Sequence, residues 1–224
     1  TAEENQTAIG TVTATDADGD DLTFTVSGSE LSITSAGVLT FATAPDYETQ
    51  TSYSATVTVS DGTNTATQDI TVNVTDANDP PTFTSNATFS AAENQTAIGT
   101  VTASDPEGDT LSFTISGSDI TIVSSSGLLE FASAPDFETQ TSYSVTVTVS
   151  DGTNTVTQDI TVNVTNVNDV APEFTSNATF SAEENQTAIG TVTATDADGD
   201  TVVFSISGSE LEVSATGVIT FATA

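Results

Sequence analysis

SYSATVTVS, residues 52–60, alternates without a break: Tyr53, Ala55, Val57 and Val59 fall at every second position, and Ser or Thr fills each place between. After the turn signal Asp61-Gly62, the residues Ile70, Val72 and Val74 resume the same period. A period of two puts the apolar side chains on one side of a pleated strand and the hydroxyls on the other. Both segments therefore read as strands of an antiparallel sheet with one buried and one wet face. Working outward, Val12 and Ala14 predict a strand, Leu22, Phe24 and Val26 another, Leu31 and Ile33 a third, and Val38 to Phe41 a fourth. Phe83 to Phe89 reads as the first strand of a following unit. Gly, Asp, Asn and Pro separate these runs, no segment carries a helical period, and Thr and Val dominate, as pleated surfaces prefer. Seven short strands in about 90 residues predict an all-β fold of Greek-key β-sandwiches with immunoglobulin-like architecture.

The unit recurs. AEENQTAIGTVTATDADGD at 2–20 returns unchanged at 182–200, and AAENQTAIGTVTASDPEGD stands between them at 91–109. Glu4, Glu93 and Glu184 are 89 and 91 residues apart. That period is a small domain, longer than the roughly 20–50 residues of a solenoid repeat, so the chain reads as tandem beads. The expected boundaries are 1–79 for a repeat lacking its first strand, 80–169 for a complete repeat, and 170–224 for a repeat lacking its last two strands. DANDPP at 76–81 and NVNDVAP at 166–172 join them; each carries a closing Pro, which stiffens a short linker. The missing strands predict an exposed core and an open sheet edge. The expectation is a molecule longer than 224 residues, or like chains that supply the strands in a filament.

Charge narrows the function. The chain holds 32 acidic residues and no Lys, Arg or His, for a net charge of −32. Nothing on it can pair with phosphate, so nucleic acid and anionic membrane are excluded as partners, and cations are attracted. With no Cys there is neither a disulfide framework nor a thiolate metal site. Without His, Cys or Lys the usual general bases and activated nucleophiles are absent, and the chain reads as no enzyme.

The carboxylates of one period, Glu4, Asp16, Asp18, Asp20, Asp21, Glu30, Asp46, Glu48, Asp61, Asp69, Asp76 and Asp79, fall mostly in turns or at strand ends, which lie at the poles of a sandwich. Two unit charges about 5 Å apart repel by roughly 3 kcal/mol at an effective dielectric near 20, so polar clusters call for a divalent cation or protons. DADGD alone is similar to half of an EF-hand loop, but no Glu follows at the required spacing. Tyr47 and Phe137, each between two carboxylates, are read as covers of the core edge in preference to sugar-stacking groups. Asn5, Asn73 and Asn86 begin short glycosylation-acceptor motifs.

Five motifs in order resemble those of tandem cadherin repeats, in the form found in bacterial surface proteins. AEEN matches the glutamate near the domain start, DAD at 16–18 the DXD motif, PDYE at 45–48 the DRE motif, VSDG at 59–62 the aspartate after the sixth strand, and DAND at 76–79 the DXNDN linker. The resemblance implies calcium at each junction, usually three ions. At the first junction it implies the ligands Glu4, Asp46, Glu48, Asp76, Asn78, Asp79, Asp105, Glu107 and Asp151. At the second it implies Glu93, Asp136, Glu138, Asn168, Asp169, Asp196 and Asp198. Asp16, Asp18 and Asp61 would serve a preceding junction. The chain departs from the motif in three places: Pro80 and Val170 stand for the final Asn of the linker, Asn166 for its first Asp, and Glu107 for an Asp.

The resulting expectation is a calcium-rigidified extracellular stalk or fibre segment of a cell-surface adhesin. Its partners would be further repeats of the same protein, with no nucleic acid and no direct membrane contact. The alternative is a module whose repeats themselves bind glycan or a like chain.

Overall fold

A computed structural model describes residues 1–223, and among them there are strands and turns but no helix. Two compact units can be distinguished. The first comprises 1–82 with 103–111 and 149–156, and the second 83–102 with 112–148 and 157–224.

In the first unit the alternating segment forms the strand Ser52–Ser60, which runs antiparallel to Thr65–Thr75 from Ser52↔Asn73 to Ser60↔Thr65. Thr23–Val26 adds to its other edge, and Ala2–Glu3 closes the sheet beyond Thr65–Thr75. A second, three-stranded sheet orders Ala8–Thr11, Val38–Phe41 and Leu31–Ile33. Between the sheets, Ala2, Leu31, Leu39, Phe41, Val72 and Val74 form the buried core, with Tyr47 and Tyr53 packed against it. Phe41 and Tyr53 meet edge-on at 5.0 Å. Tyr47 thus covers the core edge, as expected of an aromatic beside an acidic loop.

The second repeat follows the same plan with the sheets Ser112–Ile115, Ser142–Ser150, Thr155–Thr165, Thr88–Ala92 and Ala97–Thr100, Leu128–Phe131, Ile120–Ile122. The two long strands bury their apolar face completely: Val147, Val149, Ile160 and Val162 have no exposed area. Each such side chain contributes roughly 1.5–3 kcal/mol through water released.

Three details differ from the sequence expectation. The outer strand is parallel, not antiparallel: Thr88–Ala92 pairs with Thr161–Thr165 in parallel register, as Ala2–Glu3 does with Val74–Thr75. Phe83–Phe89 is not one strand. Thr84 and Ser85 both donate their N–H to the Thr102 carbonyl, which bends the chain there. Only Thr88 onward then joins the long strands, and a strand that arrives by crossing between sheets runs parallel to its neighbour. Finally, Val12 and Ala14 lie outside the ladders of the first repeat, whereas Ala103 and Ala194, the counterparts of Ala14, open the short strands Ala103–Ser104 and Ala194–Thr195. Ala194–Thr195 is held by Glu173–Phe174.

In the third repeat the sheet of Ala188–Thr191, Val218–Phe221 and Leu211–Val213 is formed, while residues 201–207 join no strand. Phe174 and Val203 are 69% and 70% exposed.

One glycine per repeat fixes the sheet-to-turn packing. Gly127 sits at φ 71°, and a Cβ there would lie 2.1 Å from the Val101 carbonyl oxygen; Gly37 and Gly217 repeat the arrangement at 2.3 and 2.2 Å from Val12 and Val192. Gly127→Ala is expected to cost about 2–4 kcal/mol in denaturant unfolding, combining left-handed strain with displaced backbone. Gly108→Ala, at φ 78° but facing open space, should cost no more than about 1–2 kcal/mol. Equal losses would refute the packing role.

Candidate metal centres at the ends of the repeats

Each centre is assembled around a buried glutamate. Glu4 is 2% exposed and Glu93 3%. The turn Glu4-Asn5 follows Ala2–Glu3, whose parallel pairing with the end of Thr65–Thr75 delivers the carboxylate to the point where the linker leaves the sandwich. Its two oxygens then receive the N–H groups of Tyr47 and Ala77, each at 2.7 Å. Glu93 accepts from Phe137 at 2.8 Å and Val167 at 2.7 Å in the same way. A carboxylate in each of the first two repeats therefore pins the PDYE or PDFE loop to the linker.

Among the described residues, three sets of carboxylates bring oxygens within 4.8 Å of one another. Glu4, Glu48 and Asp76 form one set, and Glu48, Asp79 and Glu107 a second that shares Glu48. Both lie in the first unit. Glu93, Glu138, Asp169 and Asp198 form the third, in the second unit. No Lys, Arg or His exists to neutralise them. Partial loss of hydration and then repulsion from Glu4, Glu107 and Asp76 raise the exposed Glu48 above its ordinary value; loss of hydration and then Glu93, Asp198 and Asp136 do the same to the exposed Glu138. A raised carboxyl favours the fold below its unfolded pKa, and that contribution is lost as pH rises through the folded value.

Three carboxylate oxygens are buried and meet no donor: Glu107 Oε1 and Asp198 Oδ1 within these sets, and Asp105 Oδ2, which joins none of them. A buried anion without a partner is costly, and oxygens of this kind, with no nitrogen or sulfur donor nearby, suit a hard divalent cation.

The other residues singled out by sequence are placed as follows. Asp46 and Asp136 close their loops by accepting from Thr49 and Thr139, and neither joins a set. The Asn78 amide donates to Asp151 at 2.9 Å, and the Asn154 amide to the Asn78 carbonyl at 3.1 Å. Burial raises Asp151, but the N–H of Asn154, the Asn78 amide and the N–H of Thr153 outweigh it and leave the group below its ordinary range. Asp61 is lowered by the N–H groups of Asn64 and Thr63. For both, the stabilising contribution is present above the unfolded pKa and lost as pH falls through the folded one. Asp16 and Asp61 line one depression of the first repeat with Asn64, and the Asp16 carboxylate accepts the N–H of Asp18, Gly19 and Asp20. Asp196 accepts from Asp200 N–H in the matching turn.

At the second junction, Asn168 donates to Asp200, Asn166 to the Asp198 carbonyl at 2.9 Å, and the N–H groups of Asp169 and Val170 to the Asp198 carboxylate. Asn166, where the first junction has Asp76, thus acts as a donor in place of an anion.

Sequence reading missed Asn5 and Asn94. Their amides donate to the linker carboxylates Asp79 at 2.8 Å and Asp169 at 2.5 Å. The invariance of ENQT in all three repeats was the available signal.

The family model of the bacterial Ig domain matches residues 1–75 and 78–165. Chitinase A of Pseudoalteromonas piscicida is 38% identical over 156 residues, which is 68% of this chain and 19% of that protein. Cadherin-related family member 2 of Mus musculus is 32% identical over 153 residues, 65% of this chain and 11% of that protein. The chain thus spans less than a fifth of these curated relatives. Among solved structures, mouse cadherin-23 EC22-24 superposes with a TM-score of 0.59 at 23% identity, covering 99% of this chain and 83% of that one. At that identity the likeness is one of fold.

Proposed function

We propose that this chain, which belongs to the bacterial Ig domain family and is built of tandem cadherin-like repeats, is a calcium-rigidified segment of an extracellular surface protein that supports cell adhesion. The observation that carries the reading is the set of buried, donor-free carboxylate oxygens of Asp105, Glu107 and Asp198 in a chain with no cationic side chain. Calcium accepts six to eight hard oxygens in flexible geometry and so fits carboxylates gathered from four stretches of chain, whereas magnesium demands a tighter octahedron. Glu4, Glu48, Asp76, Asp79, Asp105 and Glu107 would hold metal at the first junction, and Glu93, Glu138, Asp169 and Asp198 at the second.

Bound calcium would cancel the mutual repulsion of these groups and tie the end of one repeat, its linker and the start of the next together. The function is then mechanical: consecutive repeats keep a fixed orientation and hold a distal element away from the cell surface. Its partners are further repeats of the same kind, and the charge of −32 disfavours nucleic acid.

The test compares two aspartates. Asp79 belongs to a metal set, while Asp69 is exposed on the long strand and accepts only from Thr56 Oγ1 at 2.7 Å. Asp79→Ala is expected to lower calcium affinity by at least ~10-fold and to broaden the small-angle scattering profile in calcium. Asp69→Ala should leave both unchanged and shift stability by no more than about 0.5 kcal/mol. Equal behaviour of the two variants in calcium would overturn the assignment.

A further inference from the structure

We infer that Asn5 and Asn94 are positioning residues for the metal centres: the backbone of each holds the acidic loop while its side-chain amide holds the linker carboxylate in place. This rests on the calcium reading above and extends it to residues that carry no charge.

The geometry recurs in the first and second repeats. Asn5 and Asn94 both stand at φ 61°, a left-handed conformation that side chains other than glycine rarely adopt and that Asn tolerates best. In that conformation the backbone N–H of Asn5 reaches the Pro45 carbonyl at 3.0 Å, and that of Asn94 the Pro135 carbonyl at 3.0 Å. The amides turn the other way, to Asp79 and Asp169. Combined with the preceding glutamate, which bonds the same loop and the same linker, the Glu-Asn dipeptide clips two distant stretches together at four points. Asn185, in the third copy of the same segment, keeps φ 65°, so the left-handed turn is a property of the local sequence.

The chemistry favours an amide over any alternative. Asp79 lies among Glu48 and Glu107, and Asp169 among Glu93, Glu138 and Asp198. A carboxylate offers two oxygens and about four lone-pair sites, so a neutral donor can orient it and leave positions for a cation. A Lys or Arg would orient it as well but would compete with the metal for charge, whereas an Asp would repel it. The same use of the amide argues against Asn5 as a glycan acceptor, because the nitrogen that would carry the sugar is engaged with Asp79.

Paired substitutions in the full chain separate conformation from positioning. Asn5→Gly with Asn94→Gly keeps the left-handed backbone and removes the amides; Asn5→Asp with Asn94→Asp keeps the shape and replaces each donor by an anion. Two readouts are taken. Hydrogen exchange at residues 77–79 and 167–169, in chelator, reports the linkers without metal, and calorimetric titration with calcium alone reports affinity. The expected order of calcium affinity is wild type, then Gly, then Asp, with the Gly pair ~10–100-fold weaker than wild type, as for other residues that orient ligands. Linker exchange should already be faster in the Gly pair without metal. A Gly pair that exchanges and binds like wild type would show the role to be conformational only and would overturn the inference. If wild type itself binds no calcium, the metal reading fails, and the exchange data in chelator alone decide whether the amides position the linkers.

Discussion

Chelation of calcium is expected to lower the melting temperature of this chain by on the order of 10 °C or more. A ligand that binds only the folded state stabilises it by about 2.7 kcal/mol per site at a hundred times its dissociation constant, and a chain of this size shifts by roughly 2–4 °C per kcal/mol. The two junctions hold three carboxylate sets, so at least two sites contribute. Calorimetric melting in chelator and in millimolar calcium measures the difference. Magnesium at the same concentration should restore less of it, because it gives up water reluctantly and tolerates less irregular geometry. Identical melting curves in chelator and calcium, together with no heat of titration at millimolar calcium, would remove the metal from the mechanism.

The second large effect is independent of metal. Glu93→Ala is expected to destabilise the chain by about 2–5 kcal/mol even in chelator. The substitution strands the N–H groups of Phe137 and Val167, and each buried donor left unsatisfied costs about 1–3 kcal/mol. Relief of repulsion on Glu138 offsets only part of this, since Glu138 is solvent-exposed and its surroundings screen the charge. The chain carries its own control. Asp159 is exposed on a long strand of the same repeat and accepts from Thr146 Oγ1 at 2.7 Å, and Asp159→Ala should change stability by no more than about 0.5 kcal/mol. Denaturant unfolding of the two variants measures the contrast, and equal losses would show that Glu93 does not pin loop to linker.

The burial of Glu93 also shows where sequence reading stops. Sequence alone determined the long strands, because a period of two over Ser52–Ser60 leaves a single way to bury Val57 and keep the hydroxyls wet. It also determined the repeat length, and it determined that carboxylates collect at turns where no cationic side chain can neutralise them. Motif order then pointed to Glu4, Glu48, Asp79 and Glu107 as members of one centre, and the fold brings their oxygens into two sets that share Glu48.

Tertiary structure decided which acidic residues meet and what state they are in. Glu4 and Ala77 are 73 residues apart in sequence, and only the parallel pairing of Ala2–Glu3 with Val74–Thr75 puts one against the other. No local pattern announces that pairing: a strand that crosses between sheets has the same alternation whether it runs parallel or antiparallel, which is why Phe83–Phe89 read as a single strand. Burial is decided in the same way. Glu3 and Glu4 are neighbours in sequence, yet Glu3 is open to solvent and Glu4 is 2% exposed. The difference lies in the loop and linker N–H groups that the fold brings to Glu4. Local sequence sets the turn, and long-range backbone donors convert its carboxylate from a solvated charge into the pin of a metal centre.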